Sequence, residues 1–306
     1  MLFRSAANLI QFTDYQLACR LLSQLHSRHR KLEEASDSRA QTLARILEKK
    51  LEPAVQKLLV EDLKSGDPTR QQHATQALGS LGLTTMPVLI DLIKQVEEFR
   101  VRQIAASLLA DQGPMAAKTL KRELVLEISA TERVRILEVI DSVTRSLKTE
   151  LVFALGDKNP QVRKAGFRLA ERLNDKEVVE LLLEYAGHPE TGLAIGAIKG
   201  LGKLKPPGAA ERLASLLKPT NETDRAVAFC QALGQIGDPG SFAPLARVLA
   251  PKRFLSRRPE WTGEVRAAAV LALRQIPHPR VVDVLAPLAD DPDPRIRQIA
   301  RSYAKG

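Results

Sequence analysis

The chain has 306 residues, 44% hydrophobic but only 4% aromatic, so a large core is available and must be built from Leu, Ile, Val and Ala. The formal net charge of +10 divides as +4 over 1–50, +1 over 51–250 and +5 over 251–306, a nearly neutral body between basic ends. No run reaches the ~20 apolar residues of a membrane span, and Cys19 and Cys230 lie too far apart for metal-type spacing, which suits a reducing, cytoplasmic setting.

The opening MLFRSAANLIQF is interrupted by Arg4, Ser5 and Asn8, and it is not expected to act as a secretory signal. Asp14 is placed to cap a helix running to about residue 34, with Leu17, Leu21, Leu22 and Leu25 on one face. Ala35–Arg39 reads as a turn, and a second helix is expected to end near 50, before Pro53. Two readings of 1–50 stay open. One is a helical cap that covers the exposed face of a first repeat. The other is a set of partner-binding helices carrying the apolar cluster Leu2, Phe3, Leu9, Ile10 and Phe12.

From residue 51 the sequence repeats itself. Asp157–Arg163 and Asp291–Arg297 both read D-x-[ND]-P-x-[VI]-R. Ala77–Gly82 and Ala232–Gly237 both read A-L-G-x-[LI]-G, with a looser copy at Gly200–Leu204. Each unit holds a turn with Asp, Gly or Pro, a helix with Arg near its start, a short break, and a second apolar helix. The early-helix positions are Arg70, Arg102, Arg135, Arg163, Leu193, Arg225, Arg266 and Arg297, mostly about thirty residues apart. Asp67, Asp157 and Asp291 stand where a carboxylate accepts orphan helix N–H groups. Pro68, Pro160 and Pro294 stand where a missing N–H costs little. Glycines after Leu78, Leu201 and Leu233 admit a neighbouring helix, and Gly82 and Gly237 suit the left-handed conformation that ends one. Apolar residues recur at three and four, as in Val281, Val284, Leu285 and Leu288, and nothing alternates with period two. The expected fold is all-α: a right-handed α-solenoid of about eight helical hairpins, at about 51–81, 84–111, 114–145, 147–173, 175–203, 206–236, 238–276 and 278–304.

These two motifs resemble the HEAT repeat family in its short, bacterial, phycobilisome-lyase-type form, over about 51–306. The resemblance implies that Asp157, Arg163, Asp291 and Arg297 form a structural ladder along the stack, and that Leu193 removes one rung. It also implies a range of roles, because HEAT-like proteins include scaffolds, adaptors, bilin-lyase subunits and DNA-alkylation repair proteins.

The interval between Arg225 and Arg266 is longer than the others and holds an insertion at 251–261. It carries Lys252, Arg253, Phe254, Arg257, Arg258 and the only tryptophan, Trp261. Solenoid insertions map to loops on one edge, and cations interleaved with aromatics suit contact with an acidic peptide, a phosphate or nucleic acid. The plainer alternative has Phe254 and Trp261 folded onto neighbouring repeats. Lys164, Arg168, Lys199, Lys203, Arg274 and Arg301 fall on second helices, where they are expected to line a basic concave stripe or simply a solvated face.

His26, His29 and Cys19 lack a fourth ligand nearby, and no metal or cofactor is expected. Cys230 reads as a small core residue. No P-loop, dinucleotide glycine motif, G-x-S-x-G or H-E-x-x-H occurs. The reading is therefore a non-catalytic protein-interaction scaffold or adaptor for a partner with an acidic surface or peptide. One alternative is a nucleic-acid-binding HEAT-like protein related to the alkylation-repair group, favoured by a pI near 9.7. A further alternative is a bilin-lyase-like subunit.

Overall fold

The structure is a computed structural model that describes residues 53–126, 128–250 and 261–303. Apart from five scattered positions, the expected cap or binding helices at 1–50 lie outside the described residues. Among the described residues there are sixteen α-helices and no strand. They pair into eight hairpins, as the repeat predicts, in an α-solenoid arrangement. The chain divides into two compact units, residues 1–150 and 151–306.

The first unit holds three hairpins: α1 (Pro53–Lys64) with α2 (Pro68–Ser80), α3 (Met86–Gln95) with α4 (Phe99–Asp111), and α5 (Pro114–Val125) with α6 (Ala130–Val143). Asp67 accepts the Thr69 and Arg70 amides and Pro68 opens α2, so the expected start signal is realised. Ahead of α6, Ser129 and Glu132 form a reciprocal capping box that satisfies orphan donors in both directions. Gly82, just past α2, takes φ 58°, in the left-handed region. The core is aliphatic: Leu59, Leu63, Leu78, Leu89, Ile93, Leu109, Leu120, Leu124 and Ile136 are fully buried. Each such side chain contributes about 1.5–3 kcal/mol relative to exposure.

The second unit continues with α7 (Lys148–Leu155, whose first turn precedes the unit boundary) and α8 (Pro160–Leu173), then α9 (Lys176–Ala186) and α10 (Thr191–Leu204). It ends with α11 (Ala209–Leu216) and α12 (Thr223–Ile236), α13 (Phe242–Leu249) and α14 (Gly263–Leu273), and α15 (Val281–Leu285) and α16 (Pro294–Tyr303). The last first-position helix is shorter than its apolar spacing predicts. After Leu285 the chain tightens into a 3₁₀ turn over Ala286–Asp290, because Pro287 removes a donor and its ring crowds the preceding turn.

Second helices in this unit touch at backbone distance. A Cβ added to Gly202 would lie 3.0 Å from Ala232 Cα, and one added to Gly234 would lie 2.7 Å from Ala272 Cα. The glycine that follows the motif leucine, Gly202 after Leu201 and Gly234 after Leu233, is thus the point where α10 meets α12 and α12 meets α14. Three of these helices end in a residue with positive φ: Asn174 at 43°, Lys205 at 50° and Gly237 at 75°. The sequence reading foresaw only the glycine. Asn tolerates this conformation, and Lys205 adopts it to close the Leu201 carbonyl of α10.

Candidate binding surface

The repeat motif has one geometry in both of its full copies. Asp157 Oδ1 accepts the Asn159 amide at 2.7 Å, and Asp291 Oδ1 accepts the Asp293 amide at 2.9 Å. The third residue then caps the helix: Asn159 accepts the Gln161 amide at 2.8 Å, and Asp293 accepts the Arg295 amide at 2.9 Å. The closing arginine returns to the same turn. Arg163 Nη1 donates to the carbonyls of Asp157 and Lys158 at 3.0 and 3.1 Å, and Arg297 Nη1 donates to those of Asp291 and Pro292 at 2.6 and 3.1 Å. The arginine thus ties down loop carbonyls that no helix satisfies.

Arginines also couple adjacent hairpins, through partners no short motif shows. Arg102 is buried on the Val96 and Glu97 carbonyls and pairs with Glu138 of the next hairpin. Arg163 reaches Glu190 at 3.6 Å, and Arg225 donates to the Pro189 carbonyl at 3.0 Å. Arg266 makes a two-point pair with Asp291, Nη1 to Oδ1 at 3.1 Å, with both side chains under a tenth exposed. Burial raises the Asp291 pKa, but hydrogen bonds from Arg266 and the Asp293 amide, with the Arg266 charge, hold it below the ordinary carboxylate value. Ala232-Leu-Gly-Gln-Ile236 aligns with Ala272-Leu-Arg-Gln-Ile276, so Arg225 corresponds to Val265 and Arg266 stands one residue further round. One residue is about 100° of helix, which turns Arg266 into the interior. Leu193, where an arginine is missing, is simply buried.

The six cations expected on second helices are all exposed: Lys164 and Arg168 on α8, Lys199 and Lys203 on α10, Arg274 just after α14 and Arg301 on α16. Lys203 pairs with Glu171 at 2.8 Å, Arg274 reaches Ser302 Oγ at 3.5 Å, and Arg301 donates to the Ala289 carbonyl at 2.9 Å. Among the described residues Lys164, Arg168 and Lys199 have no such partner. Phe167 lies over Gly196, whose added Cβ would fall 2.3 Å from the ring. Further along, α12, α14 and Arg295 enclose an open groove of about 650 Å³ that includes Gln231, Gln235 and Gln275. These amides and the half-exposed Leu271 were not marked by sequence reasoning. They carry no motif and become a set only once the repeat register is fixed.

Of the expected insertion, Lys252, Arg253, Phe254, Arg257 and Arg258 lie outside the described residues. Trp261 is 9% exposed. It lines a depression of about 220 Å³ together with Leu217, Pro219, Pro244 and Val248. The tryptophan is therefore embedded at the end of the insertion. Cys230 is fully buried in α12, and burial pushes its thiol up to about 12. Among the described residues no group of three His, Cys, Asp or Glu side chains is placed to hold a metal ion. No single helix among them is long and apolar enough to cross a membrane.

Residues 149–229 and 254–303 match the family of HEAT repeats. Those two segments carry HEAT repeats. Both D-x-[ND]-P-x-[VI]-R copies fall inside the matched segments, which makes that turn a HEAT-repeat feature in this chain. No curated protein matches the chain. Among solved structures, a chain of the complex in which Kap95p binding switches the loops of RanGDP to the GTP-bound conformation is similar, with TM-score 0.50 and 12% identity. The alignment covers 97% of this chain and 46% of that one. Kap121p aligns at TM-score 0.44 and 11% identity, over 98% of this chain and 37% of its own. The CpcE–CpcF phycocyanin lyase of Nostoc sp. PCC7120 aligns at TM-score 0.26 and 20% identity, over 75% and 86%. This chain spans less than half the length of the first two. The Kap95p likeness speaks for the α-solenoid fold alone.

Proposed function

We propose that the protein is a non-catalytic, cytoplasmic interaction scaffold that holds an acidic protein surface or peptide through the insertion at 251–261. HEAT hairpins supply long repeated surfaces and need no reacting group to do so. The observation that supports the reading best is how the insertion is bounded. Leu249 is buried at the end of α13 and Trp261 is buried ahead of α14, so both flanks of the insertion are fixed. Lys252, Arg253, Arg257 and Arg258 lie between these two points in the sequence, and they are the contact residues of this reading, with Trp261 as the adjoining anchor.

The test is an affinity pull-down from native lysate, run with and without nuclease, comparing wild type with an Arg257→Glu, Arg258→Glu variant. The reading expects a nuclease-resistant protein partner that the variant loses. Unchanged capture by the folded variant refutes the loop assignment. Proteins that vanish after nuclease treatment refute the protein-scaffold reading in favour of nucleic acid, whose binding falls steeply with salt.

A further inference from the structure

The left-handed caps of the second unit fix its register. Six residues ahead of Asn174, Lys205 and Gly237 stand Arg168, Lys199 and Gln231, and the alignment of α12 with α14 continues this row to Leu271. All four are exposed on successive second helices. Along the row the character changes from two cations with no carboxylate partner among the described residues, to an amide, to an aliphatic side chain 46% exposed. The parallel row runs Lys203, Gln235, Gln275, from a cation already paired with Glu171 to two amides.

The groove over α12 and α14 has the opposite rim charge. Asp224 and Glu264 line it. Its one lining cation, Arg295, is held by the Asp293 carboxylate at 3.1 and 3.3 Å, and nearby Arg274 turns to Ser302. Among the described residues the side chains of Gln231, Gln235 and Gln275 have no hydrogen-bond partner. Each offers a donor pair and an acceptor, the complement of a peptide main chain, above a floor of Ala267, Ala268 and Ala272. Contacting helices stand ~10 Å apart and an extended chain advances ~3.3 Å per residue, so α8 to α14 is crossed by about nine residues.

We propose that this second-helix face binds an extended peptide segment of a partner protein with a fixed polarity. Its acidic end lies over Arg168 and Lys199. Its other end places a leucine-sized side chain on Leu271 and a basic one against Asp224 and Glu264, and the glutamines pair with its main chain. The proposal rests on the scaffold reading but uses different residues from the insertion.

Purified full-length protein is used to select phage-displayed random dodecapeptides, and the leading sequence is resynthesised for fluorescence anisotropy. The expected sequences carry an acidic block at one end and an apolar–basic pair at the other. Lys199→Glu and Leu271→Asp, both at exposed positions and checked for helicity, each weaken binding by about tenfold or more. N-methylation of the central peptide amides does the same. Selection of no peptide, of peptides acidic or basic throughout, or of binding indifferent to both substitutions overturns the proposal. Peptides lost only with Arg257→Glu, Arg258→Glu overturn the groove alone and leave the scaffold standing.

Discussion

Replacing Arg266 with alanine is the sharpest test of how the hairpins are held together. Arg266 and Asp291 are 7% and 4% exposed and meet through two points. Removing the guanidinium leaves a buried carboxylate with only the Asp293 amide. Breaking one side of a buried pair costs about 3–5 kcal/mol. For a unit of this size each kcal/mol is worth about 2–4 °C, so the thermal midpoint should fall by about 6–20 °C. Far-UV circular dichroism on heating measures it. Asp291→Ala should cost a similar amount, and the double variant should cost far less than the sum, since each single change strands the same partner. A midpoint within about 2 °C of wild type for Arg266→Ala would show that the pair does not join the last two hairpins.

Acid should expose the same pair. The Asp291 pKa is depressed on folding, so its contribution is present above the unfolded carboxylate value of about 3.9 and is lost as pH falls through the folded value. Asp291→Asn should flatten the loss of stability seen on titrating wild type downward from about pH 4, read as the urea midpoint at each pH. Gly234→Val should destabilise by about 1–3 kcal/mol or more, because its Cβ falls 2.7 Å from Ala272 Cα, and an unchanged urea midpoint would contradict that packing. Trp261→Ala should cost about 3–5 kcal/mol, and a stability equal to wild type would mean the ring is not an anchor. In a Cys19→Ser background, Cys230 should react with a thiol reagent at pH 8 only on unfolding, since burial holds its thiol at about 12; native-state labelling at the rate of a free thiol would exclude the buried placement.

The fold was legible because its signals are local. Asp67 with Pro68 starts a helix through bonds to residues two and three along, and Gly234 declares a close helix contact by lacking a side chain. Asp157 and Asp291, expected as caps, instead hold the loop amides of Asn159 and Asp293, and those residues cap the helices because they stand directly before the helix-opening prolines. Longer-range features were less visible. Arg225 and Arg266 look equivalent in sequence, yet one residue of offset turns the second inward onto Asp291. Lys205 as a left-handed cap follows from how α10 must end, which no propensity for lysine signals. The row from Arg168 to Leu271 depends on register across four hairpins separated by unequal connections. The insertion announced itself by length and charge, and Trp261 joins the packing by its size, as a lone loop aromatic tends to.

The most direct measurement on the scaffold claim is site-specific photo-crosslinking in cells. A photoreactive residue is placed in turn at Arg257, at Lys199 and, as a control on a first helix, at exposed Val282. The account predicts covalent protein adducts from positions 257 and 199 and none from 282. Adducts to nucleic acid alone, or a pattern in which 282 captures the same proteins as the other two, would contradict it.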